Sequence, residues 1–173
     1  MLLAVDPDPA GGSWVLLDPH GTVLSSCLHQ PIDELVAVVD PSLPLVVVED
    51  VQSYGMPAGR SMFDTAKVIG ELRGACRREC VAFEEISRPA VKAMVCRSAK
   101  AKDAHVRQAI LDAYPPDGGG KTPQIGTKRQ PGPLYGISKD LWAALALGLT
   151  ALAHRNLGPI AERDGLTKGG SER

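Results

Sequence analysis

Leu2-Leu3-Ala4-Val5-Asp6-Pro7 and, further along, Leu43-Pro44-Leu45-Val46-Val47-Val48-Glu49 decide how this chain is read. Each is an apolar run of strand length that ends in a carboxylate. Such a group is costly at the end of a buried strand unless it is paired, hydrated or bound to a cation. A third acid, Asp140, opens the helix-like stretch Asp140-Leu141-Trp142-Ala143-Ala144-Leu145-Ala146-Leu147. Three acids from distant parts of one chain, each on an element that wants burial, imply a hard-cation site. The chemistry this favours is metal-dependent hydrolysis of a phosphodiester. Plainer readings exist: Asp6 as a turn residue before Pro, Glu49 as a surface acid, Asp140 as a first-turn acid that suits the helix dipole. None explains why the two most apolar strands both end in an acid.

Outward from these stretches, residues 2–6 read as a buried strand. Trp14–Leu17 and Thr22–Ser26 read as two more, joined by the turn residues Asp18-Pro19-His20-Gly21. Pro31–Val39 reads as a short helix, and Leu43–Val48 as a central strand buried on both faces. Ser61–Glu79 has helical periodicity, with Phe63, Ala66, Val68, Ile69, Leu72 and Ala75 expected inward. Val81–Ile86 is a fifth strand, Arg88-Pro89 a helix start, and Asp103–Tyr114 a further helix. A basic Gly/Pro-rich loop, Pro115–Gly136, leads to a last helix over Lys139–His154, with Ser138 a candidate cap. The expected architecture is an α/β domain over residues 1–154: a five-stranded mixed sheet, three strands antiparallel and two reached by helical crossovers. Residues 155–173 are expected to form a flexible tail.

Charge is strongly segregated. Residues 1–50 hold eight acids and no Lys or Arg, while Lys92–Arg129 holds eight Lys/Arg and three Asp. An acidic pole beside a basic one suits a nuclease, with carboxylates for cations and a basic surface for phosphates. No run reaches the roughly 18 apolar residues of a bilayer span, and no signal peptide is evident, so no membrane partner and a cytoplasmic location are the expectation. The four cysteines (27, 76, 80 and 96) lack the spacing of a zinc site. The four histidines, His20, His29, His105 and His154, show no triad spacing. Gly118-Gly119-Gly120-Lys121-Thr122 misses a nucleotide-binding loop, since Pro115 stands where its first Gly belongs.

The order of these motifs resembles RuvC-type Holliday-junction resolvases of the RNase H-like superfamily, especially the phage-encoded branch. Leu3-Ala4-Val5-Asp6-Pro7 is similar to the family's first-strand motif and Val47-Val48-Glu49 to its fourth-strand motif. Phe63-Asp64-Thr65-Ala66 through Gly74 resembles the following helix. Pro89-Ala90-Val91-Lys92 and Ala101-Lys102-Asp103-Ala104 resemble the approach to the next. Ile125-Gly126-Thr127-Lys128 and Pro131–Gly136 resemble a loop of phage members. One departure stands out. The family usually has a second acid or a His three positions after the one matched by Asp140, and here that position is Ala143.

The resemblance implies a metal-dependent endodeoxyribonuclease that resolves four-way junctions as a homodimer, in a bacterial host cell if phage-encoded. It implies two Mg²⁺ ions, with Mn²⁺ as a substitute, about 3.5–4 Å apart. Asp6 would bridge them, with Glu49 and Asp140 completing one each. Asp8, Asp50, Asp64 and Asp103 are the candidates for a fourth ligand. Lys92, Arg97, Lys100, Lys102 and Arg107 are candidate phosphate contacts, and Lys121, Lys128 and Arg129 would wrap DNA or order on it. Tyr54 and Met56 are candidates for a wedge at an opened base step. The helix Ser61–Glu79 is the candidate dimer interface. The competing readings are the same fold acting on RNA or on flap or fork DNA, and a junction-binding protein that does not cut.

Overall fold

The computed structural model describes residues 1–53, 55 and 57–163. β1 (Leu2–Asp8) and β2 (Gly11–Leu17) form an antiparallel hairpin closed over Pro9-Ala10. The Asp8 carboxylate fastens it, accepting the backbone N–H of Ala10 at 2.8 Å and of Gly11 at 3.0 Å. Asp18 does the same for the next turn, taking the N–H groups of His20 at 2.9 Å and Thr22 at 2.8 Å. β3 (Val23–Pro31) follows, then α1 (Ile32–Ala37), β4 (Leu45–Asp50), α2 (Arg60–Arg78) and β5 (Ala82–Ser87). The sheet order is β3-β2-β1-β4-β5, with β4 parallel to both β1 and β5. The expected mixed five-stranded sheet is therefore present.

β3 runs well past its expected end at Ser26, and it contains a bulge. Gly12 pairs with Gln30 and Trp14 with Cys27, so Ser13 faces both Leu28 and His29. An extra residue on one strand bends it and re-aims a side chain.

Strand alternation sends side chains to two cores. Leu2, Ala4, Leu45 and Val47 lie on one face, beneath α3 (Arg88–Cys96), α4 (Asp103–Ala113), α5 (Leu141–Ala153) and α6 (Gly158–Arg163). Leu3, Val5, Val46 and Val48 lie on the other, with Val68, Ile69 and Leu72 of α2 and Leu35 of α1. Three consecutive valines in β4 serve both cores at once. α5 buries nearly its whole surface. It presses so close to the sheet that a Cβ at Gly148 would stand 3.0 Å from Ala4 Cβ and 2.6 Å from Leu17 Cδ1.

Three expectations need amending. The buried stripe of α2 is Thr65, Val68, Ile69, Leu72, Ala75 and Cys76, which leaves Phe63 58% exposed and Ala66 exposed. Helical spacing from Val68 back to Thr65 skips Phe63, which points away. The segment after Arg155 is not uniformly loose, because α6 sets Ile160 and Ala161 fully into the core. The long loop, offered as one that would wrap DNA or order on it, is already closed by its own backbone bonds. Gly118 N–H donates to Pro123 O (2.8 Å), Gly119 N–H to Gln130 O (2.9 Å) and Gly132 N–H to Ile125 O (3.0 Å). Leu134 and Ile137 anchor its end in the core. At Gly132 a Cβ would meet Pro123 O at 2.2 Å, so only glycine permits that approach.

Candidate active site

Asp6 and Glu49 each follow the last paired residues of β1 and β4, Val5 and Val48, and so stand side by side at the ends of adjacent parallel strands. Their parity matches Ala4 and Val47, so both side chains face the α5 side of the sheet. Asp140 is the N-cap position of α5, one residue before its first helical residue, rather than a member of the first turn. Its carboxylate makes no capping bond to its own helix. The expected cap, Ser138, contributes its backbone carbonyl, which accepts from Leu141 N–H at 3.0 Å.

Electrostatics tie these acids together. The Asp6 carboxyl is pushed up to about 7 from an ordinary 3.8, first by burial, then by Glu49, with smaller contributions from Asp140 and Asp8. Arg88 works against this rise. That guanidinium lies 3.0 Å from Glu49 Oε2 and 2.9 Å from Asp103 Oδ1. Burial disfavours its charge, but Glu49 and Asp103 more than offset that and hold it above its usual range. Lys92 Nζ also reaches Asp103, at 3.2 Å, and the hydrogen bond from Arg88 leads in holding the Asp103 carboxyl below the usual range.

The four candidates for a further ligand separate cleanly. Asp8 is on the Asp6 side and within its field. Asp50 has the opposite parity, takes a hydrogen bond from Gln52 and lines a cleft with Ile69 and Arg73 of α2. Asp64 is on α2 and pairs with Lys67 at 2.7 Å and Arg60 at 3.5 Å. Asp103 shares a small cleft with Ala143, Arg88, Lys92 and Trp142, but it is engaged by the two cations. Asp50 and Asp64 thus lie beneath or on α2, across the sheet from Asp6. Among the described residues no three His, Cys, Asp or Glu side chains are already gathered tightly enough to hold an ion.

Two residues of this region escaped the sequence reading. Arg88 appeared only as a helix start, yet it links β4 to α4. His29 showed no spacing to any partner, yet its ring lies 3.3 Å from Asp140 and 3.5 Å from Asp8. The basic candidates spread over α3, α4 and the long loop. Lys100, Lys102, Arg107, Lys121, Lys128 and Arg129 are exposed, Lys92 is half-buried, and Arg97 is the exposed C-cap of α3. Arg107 lies over the Trp142 ring at 5.1 Å. Because the loop that carries Lys121, Lys128 and Arg129 is closed by its own backbone bonds, it need not order on a ligand. Tyr54 and Met56 lie outside the described residues.

No protein-family model matches the sequence, and no curated protein does. Solved structures do match in shape. The Thermus thermophilus RuvC structure is similar with a TM-score of 0.57 and 16% identity, over 89% of this chain and 95% of that one. T. thermophilus RuvC in complex with Holliday junction substrate is similar with a TM-score of 0.57 and 15% identity, over 89% of this chain and 94% of that one. The mixed five-stranded sheet with its flanking helices is the RNase H-like fold, in the form that RuvC has. Among the described residues no helix is long and apolar enough to cross a membrane.

Proposed function

We propose that this protein is a divalent-metal-dependent endonuclease that cuts branched DNA, with the four-way junction as its substrate. The reading is carried by Asp6 and Glu49 standing side by side at the ends of adjacent strands, with Asp140 at the start of α5 within electrostatic reach of Asp6, in a sheet of the RuvC form. Its support in substrate is that one of the similar structures holds a Holliday junction.

Charge decides whether these residues suit a hard cation. Burial first, and then the neighbouring acids, push the Asp6 carboxyl up to about 7 against the pull of Arg88, and a cation held there would offset both. All the donors are carboxylate oxygens, which suit Mg²⁺ or Mn²⁺. Asp6, Glu49 and Asp140 would hold the metal, and Asp8 is the remaining acid on that side. When bound, the ions would make a water nucleophilic and absorb charge on the leaving oxygen. The chain's own part is to fix the carboxylates on rigid strand and helix ends and to bring phosphates in over Lys92, Lys100, Lys102 and Arg107. The prebuilt loop presents Lys121, Lys128 and Arg129 as further backbone contacts.

Symmetric cutting of a four-way junction needs two sites related by a two-fold axis, hence a homodimer. Phe63, exposed on α2, is the apolar group that favours this helix as the interface. The likeness of residues 125–136 to phage-encoded members underlies placement in a phage genome and so in a bacterial host.

The test is cleavage of a labelled four-way junction beside duplex, single-stranded, flap and RNA–DNA substrates, with Mg²⁺ or Mn²⁺, for wild type and Asp6→Asn. Paired symmetric nicks in the junction, lost in the variant, are expected. Cutting of another substrate would move the function and keep the site. Tight junction binding without cutting would overturn the enzyme reading in favour of an architectural protein.

A further inference from the structure

His29 holds a strained backbone conformation without being buried. It is exposed, lies in a strand, and has φ of +49°. A non-glycine residue in that region is strained, and strain of this kind is kept where surrounding structure enforces it. Here the enforcement is visible. The bulge opposite Ser13 places His29 as the extra residue, and the His29 backbone N–H donates to Ser13 Oγ at 3.1 Å. Ser13 is 1% exposed, so that anchor is inside the fold. An ordinary ladder would have spread these residues along the strand. The bulge instead turns the imidazole to the carboxylate end of β1. Its Nε2 lies 3.3 Å from Asp140 Oδ2 and its Nδ1 3.5 Å from Asp8 Oδ2. Asp8 is itself fixed by the β1–β2 turn it closes. Asp140, by contrast, does not cap its helix and follows Lys139, another residue at positive φ, +46°.

We propose that His29, held on the β3 bulge by Ser13, is a positioning residue that fixes the Asp140 carboxylate relative to Asp8 and thereby sets the affinity of the site for a divalent cation. It rests on the reading of Asp140 as a metal-holding residue. Partners that orient ligating carboxylates are worth about 10–100-fold in metal affinity. The same spatial arrangement ties three separated segments together: the β1–β2 turn, the β3 bulge and the start of α5.

The experiment measures Mn²⁺ affinity by calorimetry and by the paramagnetic spectrum of free Mn²⁺, without DNA. Wild type is compared with His29→Gly, His29→Asn, Ser13→Ala, Asp140→Asn and Asp6→Asn, and the melting temperature of each is taken in chelator. Glycine relieves the strained φ, so His29→Gly is expected to melt no lower than wild type while binding Mn²⁺ about 10–100-fold more weakly. Asparagine tolerates the same backbone and keeps a polar donor, and is expected to recover most of that loss. Ser13→Ala is expected to weaken Mn²⁺ binding in the same direction. Wild-type affinity in His29→Gly, with binding lost in Asp140→Asn, would overturn the role of His29 and leave the site intact. Unchanged affinity in both Asp6→Asn and Asp140→Asn would instead overturn the metal site, and this proposal with it.

Discussion

Replacing Asp6 with Asn should stabilise the metal-free protein at alkaline pH, although Asp6 is the residue on which the proposed chemistry depends most. Burial, then the fields of Glu49, Asp140 and Asp8, raise its carboxyl from 3.8 to about 7 in the fold. Below the unfolded value both states hold the proton and nothing is lost. As pH rises towards 7 the unfolded chain ionises while the folded one resists, so stability falls. Above pH 7 both are ionised and the loss is complete. A shift of about 3 units corresponds to an upper bound of roughly 4 kcal/mol. Water reaching the strand end and movement of Arg88 would reduce this to about 2 kcal/mol, or roughly 4–8 °C in Tm for a chain of this size. Asparagine keeps the shape and cannot ionise. Melting curves in chelator across pH 4–9 should therefore show the variant close to wild type at pH 4 and above it by that amount at pH 8. Adding Mg²⁺ should raise wild type at pH 8 and leave the variant unchanged. A wild type-minus-variant difference that does not vary with pH would refute the argument, because it would mean that Asp6 ionises in the fold as it does in the open chain.

Arg88→Gln removes the counter-charge from the cluster, so the Asp6 carboxyl should titrate still higher than about 7 in carbon-detected NMR; an unchanged or lower value would contradict the arrangement. Gly148→Ala forces a methyl against Ala4 and Leu17 and should cost about 1–3 kcal/mol in chemical denaturation. Gly132→Ala drives a methyl into Pro123 O, and should open the long loop to trypsin at Lys128 and Arg129 while the core melts cooperatively. Phe63→Asp should shift the sedimentation of a dimer to that of a monomer without lowering Tm, since Phe63 contributes little to the core.

The mixed five-stranded sheet, and the place of Asp6 and Glu49 at strand ends, were legible because they obey short-range rules. Alternation fixes which face Asp6 and Glu49 share, and apolar runs of strand length fix where they end. The bulge was not legible: two residues opposing Ser13 is a property of pairing between strands, and nothing in Cys27–Gln30 marks it. Missing the bulge hid His29. Arg88 was missed for a related reason, since its contact with Glu49 crosses between β4 and α3. On α2, Phe63 attracted the apolar stripe by its size, whereas the true stripe begins at the smaller Thr65. That the long loop closes on itself was not legible, because glycines that allow backbones to touch, as at Gly118 and Gly132, look the same in sequence as glycines that leave a chain loose. α6 was overlooked because two buried residues, Ile160 and Ala161, are too few to show a period.

The three valines of β4 carry a consequence for how this protein can change. Val46, Val47 and Val48 satisfy either core equally, so a one-residue deletion upstream in the strand would leave its apolar content nearly indifferent to the slip. The acids are not indifferent. Such a slip would withdraw Glu49 to the α2 side and deliver Asp50 to the place beside Asp6, exchanging a longer carboxylate for a shorter one. The slipped frame would offer Asp50 to Asp6 only by driving the Glu49 charge into the fully buried place of Val48, so the acid pair, and not the valines, holds this strand in register.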